Sequence, residues 1–201
     1  MRRIAGILLA AGSSRRFGSN KLLAPLADGT PLAIAAANTL IAAVPESIAV
    51  VRPGDTELAA LLAEKGFRIV ECADAQWGMG HSLAAGVAAT STADAWLIAL
   101  ADMPSIKIST IEGLIAQLQA GSVLAAPFHA SRRGHPVGVA AGFRDELQAL
   151  SGDAGARDLL VRHASSLTRL DVDDPGILFD VDSPADLAAP LAGQPASVLT
   201  S

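Results

Sequence analysis

Short apolar segments alternate with longer amphipathic segments along most of the chain, beginning with the unbroken run Ile4–Leu9. A short apolar run bounded by turn-forming residues is typical of a strand buried on both faces of a parallel sheet. Longer segments with apolar residues at helical spacing predict crossover helices between such strands. The alternation therefore predicts an α/β fold in three layers, with helices on both faces of a mainly parallel sheet.

This pattern predicts eight strands separated by helices. The strands are Ile4–Leu9, Ser47–Val51, Phe67–Glu71, Ala95–Leu100, Ser122–Ala126, Pro136–Ala140, Leu167–Leu170 and Ile177–Val181. The helices are Pro31–Ala43, Thr56–Lys65, Gly80–Thr90, Ser109–Gln119, Phe143–Leu150, Arg157–His163 and a last one that starts at Pro184. Because no repeat or linker divides the chain, we expect one domain over residues 1–193 and a flexible tail over 194–201.

Composition narrows the class of protein. Hydrophobic residues make up 51% of the 201 residues and charged residues 17%, which excludes intrinsic disorder. A net charge of -5 argues against binding to nucleic acid or to an anionic membrane surface. No apolar run approaches the about 20 residues of a membrane span. The single cysteine, Cys72, cannot form a disulfide within the chain, so we expect a cytoplasmic protein.

Small residues directly after the first strand form a candidate phosphate-binding loop. Backbone N–H groups of Ala10, Ala11, Gly12 and Ser13 can approach a phosphate closely, and cationic side chains follow. The loop is neither a Walker A sequence nor a dinucleotide fingerprint, which excludes a Rossmann-type dehydrogenase. The alternative is an ordinary Gly/Ser loop with solvated cations.

Acidic residues follow two later strands. Asp102 comes directly after the Ala95–Leu100 strand, and Asp180 and Asp182 lie two residues apart, so they face the same side of an extended chain. Carboxylates at strand exits can hold a hard cation that bridges phosphates. They can equally be turn formers or helix caps.

Several motifs together resemble those of a known family. The stretch from Leu9 to Lys21 resembles Leu-Ala-Ala-Gly-x-Ser-x-Arg-x-Gly-x-x-Lys, the signature of sugar- and cofactor-nucleotidyltransferases. Ala101-Asp102-Met103-Pro104 resembles the Gly-Asp-Met-Pro of that family. Further matches are similar to the molybdenum cofactor cytidylyltransferase branch. They are Gly78-Met79-Gly80-His81-Ser82-Leu83, Gly134-His135-Pro136-Val137, Gly152-Asp153-Ala154-Gly155-Ala156-Arg157 and Asp180-Val181-Asp182-Ser183-Pro184-Ala185-Asp186.

The resemblance implies a Rossmann-like nucleotidyltransferase that binds an NTP and Mg²⁺, and we expect the NTP to be CTP. Such an enzyme joins CMP to the terminal phosphate of molybdopterin and releases pyrophosphate. By resemblance, residues 10–13 hold the triphosphate, Arg15 and Lys21 are its charge clamps, and Asp102 binds Mg²⁺ with Asp180 or Asp182. It also implies a molybdoenzyme of the xanthine dehydrogenase type as a partner.

The remaining candidate residues concern specificity. Ala11 stands where the guanylyl branch usually has glycine, and its methyl group favours CTP over GTP. Ser82 and Asp74 are candidate contacts to the nucleotide, although Ser82 can equally make a hydrogen bond at its helix terminus. Gly134 and His135 are candidate substrate contacts, with a structural role as the alternative.

Other interpretations stay open at this point. Arg132 and Arg133 either attract an anionic phosphate or form a solvated turn, and Asp153 and Arg157 form either an ion pair or a substrate contact. The enzyme could use GTP or another acceptor, such as a sugar or alcohol phosphate. A non-catalytic carrier of the molybdenum cofactor is the alternative from a different class.

Overall fold

The computed structural model describes residues 1–12 and 20–188, and these form eight strands and six α-helices. The strands are β1 (Ile4–Leu9), β2 (Ser47–Val51), β3 (Arg68–Glu71), β4 (Ala95–Leu100), β5 (Leu124–His129), β6 (Arg132–Arg133), β7 (Val137–Ala140) and β8 (Leu167–Asp171). The helices are α1 (Leu32–Ala43), α2 (Thr56–Glu64), α3 (Met79–Ala89), α4 (Ile108–Gln119), α5 (Arg144–Gln148) and α6 (Ala156–Arg162).

The strands form one mixed, mainly parallel sheet in the order β3-β2-β1-β4-β7-β5-β6, with β8 paired to β5. Strands β1 to β4 and the β5–β8 pair are parallel, whereas β7 runs antiparallel to both β4 and β5. The carboxyl ends of β1, β2 and β4 therefore meet at one edge of the sheet, where α/β proteins bind their ligands.

Each face of the sheet has its own hydrophobic core, because successive residues of a strand point to opposite faces. Leu8 of β1 packs in the core with α1, α2 and α4, and Ile7 packs in the core with α3, α5 and α6. The expected three layers are therefore confirmed. Cys72 is buried and its thiol is free.

One predicted strand near the C-terminus is wrong. Residues Pro175–Leu178 form a 3-10 helix instead of starting a strand, because the Asp174 side chain accepts a hydrogen bond from Gly176 N and proline occupies the first helical position. Of the helix expected from Pro184, the described residues, which end at 188, include the 3-10 helix Asp186–Ala188. Within the described ranges, no helix is both long and apolar enough to cross a membrane. The tail 194–201 lies outside the described residues.

Candidate functional site

A cavity of about 510 Å³ lies at the carboxyl ends of β1 and β4. Its lining combines the loop after β1, the segment before α3 and the acidic exit of β4. The lining residues are Leu9, Ala11, Gly12, Arg52, Ala75, Gln76, Trp77, Gly78, Met79, Ser82, Leu100, Asp102 and Asp153. The structure therefore brings several separated sequence motifs to one place.

The loop after β1 enters this cavity at Ala11 and Gly12. Ala10 does not have the role expected for it, because its N–H donates to the Val50 carbonyl (2.9 Å) and continues the sheet. Ala11 is nearly buried, and its carbonyl accepts a hydrogen bond from Arg52 Nε (2.8 Å). The backbone N–H groups of this loop that do not take part in the sheet therefore begin after Ala10.

Ser13 and Arg15 lie outside the described residues, so their expected roles stay predictions. In the spacing of the nucleotidyltransferase signature, the arginine corresponds to Arg16, the neighbour of Arg15. Both arginines lie in the same undescribed segment.

Lys21 joins the acidic residues of the site. Its Nζ donates to Asp102 Oδ2 (2.9 Å) and to the Val181 carbonyl (2.8 Å), and it lies 3.6 Å from Asp182 Oδ1. The lysine begins a 3-10 helix whose preceding residue, Asn20, accepts a hydrogen bond from Leu22 N. Only 12% of the Lys21 side chain is exposed, against 26% for Asp102, so water screens this ion pair weakly.

The segment with Asp180 and Asp182 is fixed beside Asp102. Val181 N donates to the Asp102 carbonyl (3.0 Å), and Val181 is buried between two exposed aspartates. Partial burial, then the charges of Asp182 and Asp102, raise the pKa of the Asp180 carboxyl. The three carboxylates expected to act together are therefore electrostatic neighbours.

Asp186 holds the turn that follows Asp182. Its Oδ2 accepts hydrogen bonds from Asp182 N (3.0 Å), Ser183 N (2.7 Å) and the Ser183 hydroxyl (2.9 Å). These bonds lower the pKa of the Asp186 carboxyl. Asp186 is thus a positioning residue for Asp182.

This donor set fits a hard divalent cation. Asp102 and Asp182 converge on one ammonium nitrogen, which marks a position where a cation lies between carboxylate oxygens. Within residues 1–12 and 20–188, no group of three or more His, Cys, Asp or Glu side chains is arranged as a complete metal site. A Mg²⁺-like ion matches such a partial site, because it takes one or two carboxylates and completes its coordination with phosphate oxygens and water.

Ser82 and Asp74 differ in their placement. Ser82, in the first turn of α3, is nearly buried and lines the cavity. The alternative role for Ser82 was a hydrogen bond at the helix terminus. Among the described residues, its hydroxyl makes no such bond. Asp74 is exposed in the 3-10 helix Ala73–Trp77 and does not line the cavity, although its neighbours Ala75 and Gln76 do.

Gly78 joins the start of α3 to the loop before α6. It adopts a φ of +124°, and a Cβ atom there would lie 2.1 Å from the Gly152 carbonyl carbon. Gly80 N donates to the Gly152 carbonyl (2.8 Å). Only glycine permits this approach, which brings Asp153 to the cavity.

Gly134 and His135 lie beside Ile177, three residues before Asp180, and do not line the cavity. Gly134 packs so tightly that a Cβ atom would lie 2.2 Å from the Ile177 carbonyl oxygen, and His135 N donates to the same carbonyl (3.0 Å). Burial lowers the pKa of the His135 imidazole, so the ring is neutral near pH 7.

Sequence reasoning missed Arg52, Trp77 and Asp186 as functional candidates. Arg52 follows β2, so its place at the same edge of the sheet could have identified it. Trp77 is 66% exposed, which is unusual for a large aromatic residue, but its exposure has no signal in the sequence. Asp186 has a readable signal, since Ser-x-x-Asp spacing is typical of a capping turn.

The chain matches a known protein family in sequence. A model of the MobA-like NTP transferase domain matches residues 6–167. The chain is 32% identical to nicotine blue oxidoreductase of Paenarthrobacter nicotinovorans over 188 residues, 90% of this chain and 92% of that protein. It is 30% identical to purine catabolism protein PucB of Bacillus subtilis strain 168 over 200 residues, 91% of this chain and 93% of that protein.

Solved structures show the same fold. Rv0371c of Mycobacterium tuberculosis superposes with a TM-score of 0.81 at 28% identity, covering 92% of this chain and 95% of that chain. A structure of Rv0371C in complex with manganese gives a TM-score of 0.76 at 26% identity, over 92% and 95% of the two chains. Molybdopterin-guanine dinucleotide biosynthesis protein A of Archaeoglobus fulgidus gives a TM-score of 0.64 at 20% identity, over 91% and 94%, which is a likeness of fold alone.

Proposed function

The chain belongs to the MobA-like NTP transferase family, and from this premise we propose that it transfers CMP from CTP to the terminal phosphate of molybdopterin. The observation that carries the proposal is the convergence of Lys21, Asp102 and Asp182 beside a cavity lined by the loop after β1. That arrangement offers cationic, metal-holding and backbone-donor groups to a single triphosphate.

The reaction needs little covalent chemistry from the protein. An oxygen of the acceptor phosphate attacks the α-phosphorus of CTP, and a P–O–P linkage forms. The bond to the β-phosphate breaks, and its electron pair leaves on pyrophosphate. Because a phosphate monoester is largely ionised at neutral pH, no general base is required. The residues contribute by positioning the phosphates and neutralising the developing charge.

The proposed roles rest on positions in the site and, for Ser13 and the loop arginines, on the resemblance. Gly12 and Ser13 donate backbone N–H groups to the triphosphate, and Ala11 packs against the nucleotide. Lys21, together with Arg15 or its neighbour Arg16 in the loop, neutralises phosphate oxygens. Asp102 holds Mg²⁺ with Asp182, and Asp180 adds negative charge nearby.

When bound, the divalent cation neutralises charge on the triphosphate and the leaving pyrophosphate. The manganese complex of Rv0371C supports the use of such an ion. For this chain we propose Mg²⁺, held by Asp102 and Asp182, while Lys21 moves from the carboxylates toward the phosphates.

We expect Asp186→Ala to raise the Mg²⁺ concentration needed for half-maximal activity by about tenfold, because Asp182 loses the turn that orients it. A titration of activity with Mg²⁺ measures this effect. Asp171→Ala is the control, since the one ion pair of that exposed carboxylate among the described residues is with Arg169. An unchanged requirement in Asp186→Ala would show that Asp182 needs no such support.

The choice of CTP rests on Ala11 and Ser82. Both residues line the cavity, where the Ala11 methyl group takes up space and Ser82 carries a hydroxyl. A smaller base suits this space better than guanine. Gly134 and His135 belong to the acceptor side of the same proposal.

The acceptor assignment rests on the family and on the motifs at residues 134–137 and 152–157. The name of the relative PucB supports service to a purine-oxidising molybdoenzyme of the xanthine dehydrogenase type. A non-catalytic carrier would not need Lys21 paired with Asp102 beside Asp182, and this argues for catalysis.

Pyrophosphate release tests the proposal. The protein is mixed with Mg²⁺ and molybdenum-loaded molybdopterin, and CTP, GTP, ATP and UTP are compared. We expect release with CTP at least about tenfold faster than with GTP. Faster release with GTP would overturn the argument from Ala11. Release with none of the four nucleotides would overturn the assignment of molybdopterin as the acceptor.

Nucleotide binding has an optical test. The chain has two tryptophans, of which Trp77 is exposed in the cavity and Trp96 is fully buried with its Nε1 donating to Thr90 Oγ1 (2.8 Å). We expect CTP with Mg²⁺ to change the fluorescence of Trp77, because the ligand displaces water from its ring. Trp77→Phe should lose this change. The same change in wild type and Trp77→Phe would place the nucleotide elsewhere.

A further inference from the structure

A second cavity, of about 320 Å³, is lined by the residues at the start of β7 and by residues of α6. It shares none of its lining with the larger cavity. Its lining residues are Arg133, Gly134, His135, Val137, Arg157 and Leu160. We call it the arginine cavity.

Two cations face this cavity without a counter-ion. Within the described ranges, neither the Arg133 nor the Arg157 guanidinium makes an ion pair, and Arg157 does not pair with Asp153, which lines the larger cavity instead. Burial, and then the charge of Arg157, lower the pKa of Arg133. Arg133 is half-buried and Arg157 exposed, and two like charges beside one cavity are unfavourable unless an anion joins them. Arg132, by contrast, is exposed and lies outside the cavity.

His135 also lines the arginine cavity, and its Nδ1 is buried. An atom that is closed to solvent is not itself available to a bound group, so the imidazole forms part of the cavity wall. The arginine cavity therefore offers two guanidinium groups to a bound group.

The cavity lies next to the site of transfer. The charge of Asp102 acts on the His135 pKa, and Gly134 and His135 contact Ile177, which leads to Asp180. Neither Lys21 nor Asp102 lines the arginine cavity, so a phosphate bound there is not at the position of attack on an α-phosphate.

We propose that the arginine cavity binds a second anionic group of the acceptor, separate from the phosphate that reacts. This inference rests on the proposed function for the identity of the acceptor as a substrate. It restricts the acceptor to molecules with two anionic groups at some distance from each other. Arg133 and Arg157 are specificity-determining residues in this scheme, because their planar donors suit an oxyanion.

Inorganic sulfate is the probe for the anion site. It is titrated calorimetrically at constant ionic strength, with CTP and Mg²⁺ present to fill the larger cavity, and again without them. We expect one sulfate per chain, with affinity reduced about tenfold or more in Arg133→Gln and in Arg157→Gln. Arg132→Gln is the matched control and should stay within about twofold of wild type.

Steady-state kinetics then connect the anion site to the acceptor. Arg157→Gln, at an exposed position that the fold tolerates, should raise the KM for the acceptor about tenfold and leave the KM for CTP unchanged. Arg133→Lys should recover part of the loss in Arg133→Gln by restoring the charge. Equal sulfate binding by wild type and all variants would show that the arginine cavity is not an anion site. Sulfate binding with an unchanged acceptor KM would overturn its assignment to the acceptor. Because the sulfate titration requires no transfer, its result is independent of the proposed function.

Discussion

Replacing Asp102 by asparagine should lower kcat by about a thousandfold, with little change in the unfolding temperature. The substitution keeps the shape and one acceptor oxygen but removes the charge that faces both Lys21 and the proposed cation. Asp102 is fixed from two sides, by β4 and by the hydrogen bond from Val181 N to its carbonyl. The backbone of the site should therefore persist while its charge is lost.

The measurement is the steady-state rate with CTP over a range of Mg²⁺ concentrations. Asp173→Asn is the matched control, because this aspartate is exposed and lies away from the cavity. Activity of Asp102→Asn within about tenfold of wild type would contradict the role of Asp102, provided that circular dichroism shows a folded protein.

Replacing Lys21 by methionine should lower kcat/KM by about a hundredfold. Methionine is similar in length and apolar, so it fills the nearly buried position without the charge. The substitution leaves Asp102 and Asp182 without the ammonium group that contacts them. Substrate binding should weaken and the chemical step should slow, because Lys21 neutralises phosphate charge before and during transfer.

Lys107→Met is the control for this variant, since Lys107 is an exposed lysine whose Nζ donates to the Asp173 carbonyl and, within residues 1–12 and 20–188, to no other group. Asp102 and Lys21 are in contact, so the double variant should lose less than the product of the two single losses. Fully multiplicative losses would show that the two residues act independently.

The layered fold could be predicted from the sequence because its strands are continuous apolar runs. The bounds of Ile4–Leu9 and Ala95–Leu100 were predicted without error, since each run is buried on both faces and ends at the functional edge of the sheet. The direction of β7 could not be predicted, because periodicity shows which residues face the core but not which way a strand runs. The predicted strand over Ile177–Val181 was wrong because Asp174 and Pro175 start a helical turn.

The candidate site was predictable where motifs end at strand exits. Asp102 lies just after β4 and contacts Lys21, as its position after the strand and the resemblance implied. Asp182 joins them as the resemblance implied, although the strand predicted before it does not form. The use of the Ala10 N–H in the sheet was not predictable, because it depends on the register between β1 and β2. Arg133 lines the arginine cavity, whereas Arg132 faces solvent. This difference follows from the hairpin of β5 and β6, which could not be predicted from the sequence.

The fate of the α-phosphate is the most direct test of nucleotidyl transfer. CTP radiolabelled at the α-phosphate is incubated with the protein, Mg²⁺ and molybdenum-loaded molybdopterin, and the label and pyrophosphate are both quantified. We expect the label to move to the acceptor with one pyrophosphate released for each label transferred. Label that stays in CTP or appears in CDP would contradict attack at the α-phosphorus, and with it the proposed function.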